Sequence, residues 1–85
     1  MSEQYIYWQN VETPFFIIRQ ISFSRFVYFD RKNHMWKDYP DGFREVSLNY
    51  ECHKISESEA KRIVTILQST NTDNMSYSEL CALVK

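Results

Sequence analysis

Glycine occurs once in 85 residues, at Gly42. A phosphate-cradling P-loop and a dinucleotide-binding fingerprint each need several glycines at fixed spacing, so neither is written in this chain. Cysteine occurs twice, at Cys52 and Cys81. A bridge between them would need an oxidising compartment, and nothing in the sequence implies one. Two reduced thiols acting as small hydrophobes are expected. No apolar run approaches the roughly 20 residues that cross a bilayer. The opening "MSEQYIYWQN" has no basic start, apolar stretch or small-residue cleavage site. A cytoplasmic chain without membrane contact is the expectation.

Metal and nucleophile chemistry is also poorly provided for. The available ligands are His34, Cys52, His53 and Cys81, with no C-x-x-C or H-x-x-x-H spacing among them. Cys52 and His53 are neighbours on a predicted strand, so their side chains point to opposite faces. That geometry also spoils a Cys–His dyad. No metal, no cofactor and no enzymatic activity are expected.

What the chain does have is aromatic: six Phe, six Tyr and two Trp. With 44% hydrophobic and 25% charged residues, the composition suits one small globular domain over 1–85. A chain of this size buries only about 60–65% of its unfolded surface, so its stability margin is thin. The net charge of −1 conceals an uneven distribution. Arg19, Arg25, Arg31, Lys32 and Lys37 face only Asp30 in the middle of the chain. Asp38, Asp41, Glu45, Glu51, Glu57 and Glu59 then outweigh Arg44 and Lys54.

Up to His53 the pattern is strand-like. "QYIYW", "PFFIIRQI", "FSRFVYFD" and "HMWKDY" read as four strands, rich in β-branched and aromatic residues. The second is apolar on both faces and belongs at the sheet's centre. "DRKN" reads as a turn, and so does "YPDG", where Pro40 presets φ and Gly42 accepts a positive one. "REVSLNYEC" alternates and is expected as a fifth strand, with Val46, Leu48, Tyr50 and Cys52 on one face.

After His53 the period becomes helical. Ser56 with Glu59, and Ser76 with Glu79, form two Ser-x-x-Glu capping boxes. They predict helices over about 57–68 and 77–84. The first carries Ala60, Ile63, Val64 and Leu67 as one apolar stripe. The fold expected is α+β: an antiparallel meander of about five strands over 4–53, then two helices packed on one sheet face.

Two partial likenesses lead nowhere. The loop from Gln68 to Glu79 resembles an EF-hand loop in outline. With Glu79 as its last ligand, however, Gln68, Thr70 and Thr72 fall at ligand positions and Asp73 at the glycine position. One carboxylate does not hold calcium. "VYFDRKNHMWKDYP" is similar to the last strands of a WW domain in its rings, Trp and Pro. Its turn is shorter and its Trp36-to-Pro40 spacing longer than that family's, so it reads as a hairpin with cross-strand aromatic pairs.

The functional expectation is a non-catalytic module that binds protein, either a partner or a second copy, through an aromatic sheet face. Two helices with one good stripe cover one face and leave the other open. The residues proposed to carry binding are Arg25, Tyr28, Arg31, Lys32 and Trp36, with Trp36 as anchor. Two alternatives stand beside it. The basic-aromatic hairpin 23–37 suits single-stranded nucleic acid, although a pI near 6.1 does not. A small accessory inhibitor or immunity-type protein of bacteria or phage has the same compact layout, by analogy alone.

Overall fold

The computed structural model describes residues 5–47 and 52–85. Five antiparallel strands form one sheet: β1 (Ile6–Asn10), β2 (Ile17–Gln20), β3 (Phe26–Asp30), β4 (Met35–Asp38) and β5 (Cys52–Ile55). Between β4 and β5 lies a short helix, α1 (Gly42–Ser47), and after β5 come α2 (Glu57–Ser69) and α3 (Tyr77–Leu83). The sheet order is β4-β3-β2-β1-β5. The first four strands are a meander, and β5 returns to the free edge of β1. The α+β class, the antiparallel sheet and the C-terminal helix pair are as the sequence predicts.

The centre of the sheet is β2, because Ile17 and Ile18 point to opposite faces and both are fully buried. The register pairs Gln9 with Ile17, Arg19 with both Tyr7 and Val27, and Phe29 with Trp36. These side chains share the face on which α2 and α3 sit. Tyr7, Ile17 and Phe29 meet Ala60, Ile63, Leu67 and Val84 there in one buried cluster. Full burial of Ile63 and Leu67 contributes about 1.5–3 kcal/mol each.

Both helix starts are capped, but not alike. The Ser76 hydroxyl accepts from the Glu79 N–H, and the Glu79 carboxylate accepts from the Ser76 N–H, a complete box. Ser56 also accepts from the Glu59 N–H. There the Glu59 carboxylate turns to Arg62 instead. Arg62 also donates to the Val84 carbonyl at 2.7 Å, which ties α2 to the end of α3.

One segment departs from expectation. Residues 44–47 lie in α1 rather than a strand, residues 48–51 fall outside the described residues, and the fifth strand begins at Cys52. Gly42, Glu45 and Val46 are the covered positions of α1, spaced i, i+3, i+4. The alternation expected over 44–52 therefore does not hold at 44–47, where the period is helical. Gly42 itself has no positive φ. It opens α1 because a Cβ there would lie 2.3 Å from the Phe26 Cβ. The glycine is required for close approach, not for a turn.

This helix also corrects the expected open face. Phe26, Ile18 and Tyr28 share the sheet face opposite α2. Phe26 is buried against α1. Tyr28 forms a triangle with Phe16 and Tyr39, ring centroids 5.5–5.6 Å apart. A third, short helix and two flanking rings therefore cover much of the face expected to be open.

Candidate functional site

The five residues singled out from the sequence do not share a surface. Trp36 faces α2, where it is half-buried against the core and stacks edge-on to Phe29 at 5.4 Å. Tyr28 pairs with Ile18 and Lys37 on the other face. Arg25 is exposed beyond the start of β3, 3.9 Å from the Asp38 carboxylate. Arg31 is a strut: its Nη1 donates to the carbonyl and the hydroxyl of Thr72, at 3.2 and 3.0 Å. Thr72 is the buried polar residue of the α2–α3 loop, so Arg31 docks that loop onto the end of the sheet. Lys32 is exposed in the β3–β4 turn and gives its N–H to Asp30. Tyr28 thus lies on the opposite face from Trp36, so the expected binding residues do not form one surface around that ring.

The β3–β4 turn is organised by Asp30. Its carboxylate accepts from Lys37 Nζ at 2.9 Å, from Asn33 Nδ2 at 2.7 Å and from the Lys32 N–H at 3.0 Å. The Lys37 ammonium above all, then Asn33, holds the Asp30 carboxyl well below the usual carboxylate range. The same partner raises the Lys37 pKa. His34 closes the turn with φ at 54°.

Two features missed in the sequence are more distinctive. The first is a solvent-facing apolar pair. Phe23, in the β2–β3 turn, is 79% exposed, and its ring lies 5.4 Å from that of Phe43 on α1. Ile21 in the same turn is also exposed. The turn is closed by the Ile21 and Ser22 N–H groups, both donating to the Arg25 carbonyl. The signal was an apolar residue inside a Ser-flanked turn, "ISFSR", read as the start of a strand.

The second feature is a cleft of about 290 Å³ between the sheet and α2, lined by Tyr7, Arg19, Trp36, Lys61, Thr65 and Gln68 among others. The Arg19 guanidinium lies 4.0 Å from the centroid of Trp36, 5.0 Å from Tyr5 and 5.3 Å from Tyr7. Its Nε donates to the Tyr7 hydroxyl at 3.1 Å. A cation in the middle of a central strand was the available signal.

Among the described residues no group of His, Cys, Asp and Glu is placed to hold a metal ion. No described helix is long and apolar enough to cross a membrane. No protein family, curated protein or solved structure matches the chain.

Proposed function

We propose that this chain is a small non-catalytic binding module that contacts another protein through the β2–β3 end of its sheet. The observation that carries this reading is the Phe23–Phe43 pair: two rings held together by the fold, one of them 79% exposed. A lone exposed apolar residue is ordinary. A turn that exposes Ile21 and sets Phe23 against Phe43 is a concentrated apolar surface, and such surfaces mark contact sites. The open Arg25–Asp38 pair stands beside that turn and supplies a polar rim. Single-stranded nucleic acid draws no support from this arrangement, because Tyr28 and Trp36 lie on opposite faces.

The test is a comparison of the wild-type chain with Phe23→Ser. Sedimentation of the purified chain over a range of concentrations reads self-association. Affinity capture from the native host reads a foreign partner. The variant should keep its melting temperature and lose whichever complex the wild type forms. Complexes of unchanged stoichiometry and affinity in the variant would remove this surface from the function.

A further inference from the structure

Arg19 is an unusual residue for the central strand of a small sheet. It is half-buried and projects onto the helix-covered face, opposite Tyr7 and Val27. Its guanidinium carbon lies over the rings of Trp36, Tyr5 and Tyr7, a cation–π arrangement that holds the group in place. The Tyr7 hydroxyl takes the Nε–H. No carboxylate of the described residues forms an ion pair with Arg19; the pairs present join Arg25–Asp38, Lys37–Asp30, Lys61–Glu57 and Arg62–Glu59. The two terminal nitrogens keep the forked donor edge that matches an oxyanion.

The opposite wall of the cleft comes from one stripe of α2, where Lys61, Thr65 and Gln68 follow one another at i, i+4 and i+7. All three side chains carry donors. Lys61 is held by Glu57 at 2.8 Å, so the pair is neutral and the Arg19 charge is left in excess. Arg19 and Lys61 are near enough that the arginine opposes the rise in the Lys61 pKa caused chiefly by Glu57. A volume of about 290 Å³ suits a small group, below a drug-sized ligand.

We propose that this cleft binds a small oxyanion, a carboxylate or a phosphate, on the terminal nitrogens of Arg19, with Thr65 and Gln68 as further donors. The aromatic rings act as a brace. They hold the guanidinium in place, so little rotamer freedom is lost when the anion docks. The site lies on the opposite side of the sheet from the Phe26 face and is independent of the Phe23 surface.

The experiment follows the Arg19 Nε–H and Trp36 indole N–H signals by NMR while sodium acetate or sodium phosphate is added, each against sodium chloride at matched ionic strength. Both signals should move and saturate with at least one anion, while the Trp8 indole stays still. Saturation at lower concentration with acetate assigns a carboxylate ligand, and with phosphate a phosphoryl one. Arg19→Lys keeps the charge but loses the fork, and should weaken binding roughly tenfold when read at Trp36. The double variant Thr65→Ala, Gln68→Ala changes only exposed positions and should also weaken it, whether or not Arg19→Lys folds. Shifts that merely match chloride, or saturation unchanged in the variants, would overturn the proposal.

Discussion

Gly42 rests directly on Phe26: a methyl group on the glycine would come within 2.3 Å of the Phe26 Cβ and 2.6 Å of its Cγ. Both atoms are close to the β3 backbone and have little room to yield. Alanine favours a helix over glycine by about 1 kcal/mol. Overpacking costs about 1–3 kcal/mol, and more where the neighbour is rigid. The clash wins, so Gly42→Ala should lower the urea midpoint of unfolding by a net loss of about 1–2 kcal/mol. A midpoint that rises would mean that α1 does not press on Phe26 as described.

The two capped helix starts separate the parts of a capping box. Ser76→Ala removes an acceptor and leaves the Glu79 N–H without its partner, at a cost of about 1 kcal/mol. Ser56→Ala should cost a similar amount. Glu79→Gln keeps a side-chain acceptor for the Ser76 N–H and should be nearly silent. Glu59→Gln weakens the hold on Arg62, whose Nη2 also reaches Val84, and should loosen the α2–α3 contact. Hydrogen exchange at the last turn of α3 reads this directly. Equal protection in the Glu59 and Glu79 variants would show that Arg62 needs no carboxylate to hold its place.

Asp30 makes stability depend on pH. Its pKa is depressed in the folded chain, first by Lys37 and then by Asn33. A carboxyl of this kind contributes stability in full above its unfolded pKa of about 3.9. The contribution is lost as the pH falls through the lower folded value. Asp30→Asn should therefore destabilise the chain at neutral pH and do so progressively less as the pH falls below about 4. The urea midpoints of the two chains should converge in acid. A gap that stays constant would assign the effect to the geometry of the turn rather than to the charge.

His34 sits at φ 54°, in the left-handed region, and is exposed. The left-handed conformation costs a residue with a Cβ about 1–2 kcal/mol. Glycine removes that cost and adds back about 0.5–1 kcal/mol of chain entropy. His34→Gly should raise stability by about 0.5 kcal/mol. A lower midpoint would mean that the imidazole contributes more than its backbone strain costs.

The elements that were legible in the sequence are those whose signals are local. Ser56 and Ser76 mark helix starts by hydrogen bonds that span three residues. The apolar stripe of α2 repeats for two turns, and Ile17 and Ile18 announce a central strand by being apolar on both faces. The helix over 42–47 was not legible because it is short, runs into an alternating stretch, and makes its decisive contact, with Phe26, through tertiary packing. The placement of the candidate site residues was not legible for a related reason. Arg31 and Trp36 look like contact residues by type, yet Thr72 lies 41 positions from Arg31 in sequence. Arg19 is set apart only by the rings that the fold gathers around it.

Trp36 is now expected to behave as a core residue. Its ring meets Phe29 at 5.4 Å and Tyr7 at 6.3 Å, and Arg19 lies over it at 4.0 Å. Truncating a buried Trp to Ala costs about 3–5 kcal/mol, and a half-buried ring belongs at the lower end, about 3 kcal/mol. In a chain with a thin margin that is a large share of the total. Trp36→Ala should thus depress the thermal midpoint by many degrees, and Trp36→Phe should restore most of it. Phe23→Ser, by contrast, removes a ring already in solvent and should move stability by less than about 0.5 kcal/mol. The two substitutions separate holding the fold from meeting a partner. If Trp36→Ala kept the wild-type midpoint while abolishing a complex that Phe23→Ser left intact, the contact surface would lie on the α2 face, around Trp36, and not at the β2–β3 turn.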